Sequence, residues 1–249
     1  MKWAVFVCLF ACMAVLFSPF AEAEWLKTDQ GCDVFMNKVP EKARASWSGG
    51  CVDGKAGGEG TFMMTTEQEE GSRTSEITGR MREGRFTGKV RMVRGNGDQF
   101  EGELIGGKLL AAKVVYADGR TYSGPLENGL PNGNGEMVYA SGLRYIGALK
   151  SGIREGRGIA EYQDGSRYRG EWQNDRRHGA GIYITSQGMI IAGTFKKGRL
   201  RGRARFTRPD GYWFEGPTKN QNPHGKGICG STKSKEMIEC VFRKGKFVR

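Results

Sequence analysis

YIGALKSGIREGRG, residues Tyr145–Gly158, is the stretch on which the fold turns. An aromatic residue comes first, glycine follows at plus two, a large apolar residue at plus four, and glycine again at plus seven, eleven and thirteen. Successive side chains of a strand point to opposite faces, so Tyr145, Gly147 and Leu149 share one face. A glycine between two large residues leaves room for a ring to lie over the backbone. The second half opens on the alternating Gly156 and Gly158 and continues through apolar positions to Tyr162. The stretch reads as strand, tight turn, strand.

The same pattern slides along the chain. Tyr168 opens YRGEWQNDRRHGAG and Tyr122 opens YSGPLENGLPNGNG, while weaker copies begin at Trp47, Ile77, Phe100, Ile191, Phe214 and Ile238. The starts are 30, 23, 22, 23, 23, 23, 23 and 24 residues apart. Asp118-Gly119, Asp164-Gly165 and Asp210-Gly211 each place glycine three residues before a start, and Asp-Gly is a strong short-range hairpin signal. A hairpin this small cannot bury its own face, so neighbours must stabilise one another. The expected fold is all-β: an elongated, twisted, single antiparallel sheet, a meander of about nine hairpins at a 23-residue period. The 30-residue interval after Trp47 holds a Thr-, Glu- and Ser-rich insertion, Thr65 to Ser75, expected as an exposed loop.

The pattern Y-x-G-x-W-x-x-G-x-x-x-G-x-G at this period resembles the MORN repeat (membrane occupation and recognition nexus), over residues 47–249. The copies at Tyr122, Tyr145 and Tyr168 match closely. Those at Ile77 and Phe100 are degraded, with Val90, Ala111 and Lys113 in glycine places, and the copy from Ile238 ends before its second strand. The resemblance implies an interaction scaffold, and it implies that catalysis, where the family has it, sits on a separate domain. With about 23 residues between an N-terminal signal and the first repeat, none is expected here.

The chain has 249 residues, with 40 glycines against 7 prolines, a profile of ordered turns. Residues 1–23 read as a secretory signal: one Lys, an apolar run from Trp3 to Phe20, and Ala21-Glu22-Ala23 before cleavage at Glu24. An uncleaved membrane anchor is the alternative, disfavoured by Ser18-Pro19. Residues 24–46 form a lead-in. Export, to a periplasm or the cell exterior, makes the four remaining cysteines disulfide candidates. One close pair lies near each end, which selects Cys32–Cys51 and Cys229–Cys240. Cys51 takes the second apolar place of the first unit and Cys240 the first glycine place of the last, so both would staple terminal units that lack a neighbour.

The residues offer no catalytic constellation. His178 and His224 both fall ten residues after a repeat start, at a turn, with no acidic partner in the pattern. The G-x-G-x-x-G of Gly225, Gly227 and Gly230 lies within repeat glycines and lacks the strand and helix of a dinucleotide site. Glu155, Glu161 and Glu171 are expected on the solvated side. A non-enzyme without cofactor or metal follows as the expectation.

The net charge is +12, and residues 143–209 hold fifteen Lys/Arg against five Asp/Glu. GRLRGRARF puts Arg199, Arg201, Arg203 and Arg205 at every second position, one face of a strand. With Arg176, Arg177, Lys196 and Lys197 they form a candidate surface for anionic lipid, lipopolysaccharide or an acidic envelope polymer. Export disfavours nucleic acid, and no aromatic interleaves the arginines as a stacking platform. A solvated face that protects a single-layer sheet is the competing reading. The slot of Arg205 holds Ile159, Ile182 and Ile228 in other units, an odd exchange if packed and a mild one if open to water. The leading expectation is an exported scaffold whose grooved face holds another protein, and the alternative is a binder of anionic surfaces.

Overall fold

Two kinds of turn close each hairpin. In the unit from Tyr145, strands Arg144–Lys150 and Ile153–Glu161 meet at Ser151-Gly152, both left-handed with φ of 50° and 80°. Such two-residue turns match the right-handed twist of paired strands. The return to the next unit is wider: Gly165 N–H donates to Tyr162 C=O at 3.0 Å, and Asp164 Oδ1 accepts from Ser166 N–H at 2.9 Å. Here only the glycine takes positive φ. The Asp-Gly pairs therefore mark the wide turns, and the tight ones lie at plus six and plus seven of each unit. Two tight turns, Asn174-Asp175 and Asn220-Gln221, contain no glycine.

The computed structural model describes residues 24–37, 39–69, 71–105 and 108–248. The expected signal segment and its cleavage site lie outside them. Among the described residues there is no helix. From Arg44–Trp47 to Lys246–Phe247 the longer strands follow chain order, each antiparallel to the one before, with the short turn strands Gly50–Val52, Leu126–Glu127, Leu130–Pro131 and Asn222–Pro223 set between them. The meander expected from the repeat is the architecture observed. The glycine-rich strand Gly225–Ser231 is one of its antiparallel members, paired with strands Tyr212–Lys219 and Met237–Arg243.

The units from Ile77, Phe100, Tyr145, Tyr168 and Ile191 each carry a bulge. Gly147 pairs with Gly158 while Leu149 pairs with Arg154, so extra residues crowd into the second strand around Gly156, at φ +76°. Gly158 then meets the ring: a Cβ there would lie 2.5 Å from Tyr145 Cε2 and Cζ. Where Ile191 opens the unit instead, Ala204 stands at the glycine place and is buried. The degraded unit from Phe100 is one residue short, and Ala112, rather than Ala111 or Lys113, faces Gly102.

One row of directly paired positions runs along the packed face. It starts Trp47, Phe62, Ile77, Met92 and ends Phe206, Phe214, Cys229, Ile238. At its centre Tyr145, Ala160 and Tyr168 are each 0% exposed.

One segment differs from expectation. Thr65 to Ser75 is not a loop but the far end of a long hairpin, Lys55–Gln68 against Gly71–Arg82. Threonine favours strands, and Thr65 and Thr74 hydroxyls bond across it at 2.8 Å. The lead-in forms its own hairpin, Glu24–Lys27 against Asp33–Met36, which meets the sheet through one parallel pair, Asp33 with Lys55. Its Cys32 and Val34 join Trp47, Ala56 and Phe62 in a separate N-terminal core.

Candidate interaction face

The packed face is an aromatic stack with its polar tips satisfied. Trp172 stands edge-on to Tyr145 and Tyr168, centroids 5.4 and 5.3 Å away, and Tyr168 meets Phe195 at 5.1 Å. Each tyrosine hydroxyl donates to the carbonyl three residues on: Tyr122 to Pro125 at 2.7 Å, Tyr145 to Ala148 at 2.8 Å, Tyr168 to Glu171 at 3.0 Å. Removal from water pushes all three phenols up to about 12. Neutral donors are thus held in place along the repeat.

Position plus nine of each unit also points into this face. It is apolar in most units, as at Phe86, Leu109 and Leu200, but is arginine at Arg154 and Arg177. Arg154 lies over Trp172, 4.4 Å from the centroid. Its Nε donates to Asp175 Oδ1 at 2.9 Å, and its Nη2 to Asp175 C=O at 3.0 Å. Arg177 sits among Tyr183, Phe195 and Tyr168, at 4.8, 5.4 and 5.7 Å. Its Nη2 donates to Gly198 C=O at 3.1 Å.

Towards the C-terminus the face opens into a trough of about 1000 Å³. Ile191, Phe206, Phe214, Cys229 and Phe242 form its floor. One wall is built from the wide turns around Arg208, Asp210, Lys233 and Glu236, the other from the tight turns at Gln221, Asn222 and Gly245. The tight-turn edge is stitched from unit to unit: Gly152 N–H donates to Pro131 C=O, Asp175 to Arg154 and Gly198 to Arg177, at 2.8, 3.1 and 2.8 Å. A smaller cavity of about 170 Å³, bounded by Arg177, Tyr183, Phe195 and Leu200, shares Ile191 and Gln221 with the trough.

The sequence-derived basic surface divides between the two faces. Arg176, Lys196, Lys197, Arg199, Arg201, Arg203 and Arg205 are exposed. Arg177 is not on that surface, since it neighbours Arg176 in a strand and so points the other way into the aromatic face. Strand Arg199–Thr207 contains all four arginines of the row, but Gly202, at φ +69° and exposed, and Arg203 lie in the bulge between the paired Arg201 and Ala204. Ala204 and Phe206 are buried opposite, and Gly202 is not. Arg205 is engaged: it stacks over Trp213 at 4.0 Å and its Nη1 is 4.0 Å from Glu215 Oε2. The equivalent Ile159 and Ile182 are 37% and 42% exposed, so this slot is open to water and tolerates either residue.

The remaining polar candidates are held in local hydrogen bonds and ion pairs. His178 C=O accepts from Tyr168 Oη at 3.2 Å, and His224 Nδ1 accepts from Lys244 N–H at 3.3 Å. Glu155 accepts from Asn174 N–H, Glu171 from Ala180 N–H, and Glu161 pairs with Arg144 and Arg167. Among the described residues no three His, Cys, Asp or Glu side chains cluster as a metal site. Cys32 with Cys51 and Cys229 with Cys240 stand at disulfide distance, Cα atoms 5.7 and 5.9 Å apart. The aromatic stack was foreseeable from the repeat. The pairing of Arg154 with Asp175 was missed, although arginine at an otherwise apolar plus-nine place signalled it.

Fold and face together define an open-sheet repeat protein in which one hairpin unit recurs. The MORN repeat family matches four consecutive units, residues 122–144, 145–167, 168–190 and 192–211, and these four units are MORN repeats. No curated protein matches the chain. Among solved structures it is similar to the TCP domain of SAS-4 (dCPAP) of Drosophila melanogaster, solved in complex with a proline-rich motif of Ana2 (dSTIL). The identity is 13%, the TM-score 0.42, and the match covers 63% of this chain and 85% of that one. MORN repeats as a class mediate protein–protein or membrane interactions.

Proposed function

We propose that this chain is an exported, non-catalytic scaffold that holds an extended segment of a partner protein in the trough at the C-terminal end of its packed face. The observation that carries this reading is the apolar floor of Ile191, Phe206, Phe214 and Phe242 lying open between two walls of turns. An apolar cleft with a polar rim is the ordinary form of a recognition site. The two cysteine pairs at disulfide distance are compatible with export. Selection of random peptides displayed on phage tests the reading. Peptides with large apolar residues should be enriched on the full chain. They should be lost on Ile238→Glu and Phe247→Glu, positions 60% and 59% exposed that tolerate charge without unfolding. No enrichment on the wild type refutes it.

A second reading rests on Arg176, Lys196, Lys197, Arg199 and Arg201, five exposed cations in two adjacent units. Against an anionic membrane each contributes roughly 1 kcal/mol, enough for weak, salt-sensitive adhesion. Replacing Arg176, Lys196, Lys197 and Arg199 with Gln should abolish co-sedimentation with phosphatidylglycerol vesicles at low salt while leaving peptide selection intact. If the wild type fails to co-sediment, these residues are a solvated face only.

A further inference from the structure

Adjacent repeats supply an internal comparison on the packed face next to the trough. Arg154 and Arg177 occupy the same place, plus nine, in the units from Tyr145 and Tyr168. Both guanidinium groups lie among aromatic rings, and both donate Nη2 to the carbonyl of the tight turn one unit on, at 3.0 Å to Asp175 and 3.1 Å to Gly198. They differ in one respect. Asp175 also extends its carboxylate to Arg154, with Oδ1 3.0 Å from the main-chain N and 2.9 Å from Nε. The corresponding residue for Arg177 is Gly198, which has no side chain, and among the described residues no carboxylate lies within 4.0 Å of Arg177. Arg177 is half-buried, and a guanidinium partly removed from water gains a charge-assisted hydrogen bond when a carboxylate arrives. Beside it lies the cavity of about 170 Å³, which has Ile191 and Gln221 in common with the lining of the trough.

We propose that Arg177 is a carboxylate-binding site. An Asp or Glu side chain of the segment in the trough takes, from outside, the place that Asp175 takes at Arg154. The inference rests on the trough being a peptide site. It adds the chemistry of the occupant: an extended segment with one acidic residue at the Arg177 end, followed by large apolar residues over Phe206, Phe214 and Phe242. A basic protein of net charge +12 favours the approach of such a segment.

Gly198→Asp tests this by closing the site from within. Asp175 holds the same turn position at φ +62°, and a Cβ on Gly198 meets nothing within 4 Å, so the substitution has the space it needs, at a backbone strain at φ +83° that aspartate bears better than most residues. Displayed random peptides are selected on the wild-type chain, and the enriched sequences are measured by fluorescence anisotropy as synthetic peptides. The expected outcome is a recurring Asp or Glu next to large apolar residues. Its change to Asn or Gln should weaken binding about tenfold or more. Gly198→Asp and Arg177→Met should each weaken the acidic peptide similarly, and the amide peptide should bind wild type and both variants alike. Circular dichroism of both variants should match the wild type, and if Arg177→Met unfolds, the Gly198→Asp comparison still decides. Enriched peptides without acid preference, or acidic peptides indifferent to Gly198→Asp, overturn the carboxylate site and leave the trough standing. No enriched peptide at all removes both.

Discussion

Gly158→Ala puts the central contact of the fold to the test. Tyr145 is fully buried, its hydroxyl bonded to Ala148 C=O at 2.8 Å and its ring edge-on to Trp172 at 5.4 Å. A methyl group at residue 158 would sit 2.5 Å from two ring carbons, well inside ordinary van der Waals contact. The ring must move, and it cannot do so without losing the hydrogen bond or the Trp172 contact. Overpacking costs about 1–3 kcal/mol and the lost bond about 1 kcal/mol, so a destabilisation of about 2–4 kcal/mol is expected in urea unfolding followed by tryptophan fluorescence. The unit with Ile191 and Ala204 shows how the cost is relieved. Tyr145→Ile with Gly158→Ala should be less destabilised than the sum of the single changes by at least about 1 kcal/mol. Gly156→Ala is the control. Its φ of +76° makes any side chain strained, at about 1–2 kcal/mol, but its Cβ would meet only Ala148 Cβ at 3.4 Å, so its effect should add to that of Tyr145→Ile. If Gly158→Ala lies within about 0.5 kcal/mol of wild type, or adds fully to Tyr145→Ile, the ring-over-glycine account is wrong.

Three further outcomes are expected. Mass mapping of the unreduced protein should join Cys32 to Cys51 and Cys229 to Cys240, and end-to-end linkage or four free thiols would contradict the staples. The phenols of Tyr122, Tyr145 and Tyr168, raised by burial to about 12 in the fold, contribute stability that is whole below pH 10 and lost as pH climbs towards 12. Urea midpoints should therefore fall across that window, and phenolate absorbance showing every tyrosine titrating near 10 in the folded chain would refute it. Small-angle scattering should report an elongated particle, roughly 80 Å along the sheet at about 4.8 Å per strand step, rather than a compact globule.

The sequence by itself determined what is local and periodic. Aromatic and glycine at plus two and plus thirteen declare the ring-over-backbone contact, and a 23-residue period declares hairpins paired in chain order. Two of the exceptions fit the same rule: an aliphatic start at Ile77 or Ile191 goes with Val90 or Ala204 at the glycine place, where no ring needs the room. Cross-strand register and the partners of charges belonged to the tertiary structure. The threonine-rich insertion became a hairpin because both of its arms could continue a ladder already begun at Gly58 and Met81. The lead-in, without repeat residues, paired with itself and packed on Trp47. Arg176 and Arg177 looked like one basic cluster, but a strand turns neighbouring side chains to opposite faces. Arg205 and Trp213 are eight residues apart in the chain and meet only when strands Arg199–Thr207 and Tyr212–Lys219 pair. The carboxylate given to Arg154 and withheld from Arg177 arises in the same way. Each guanidinium meets the turn of the following unit, some twenty residues on, and that meeting is made by stacking one hairpin on the next.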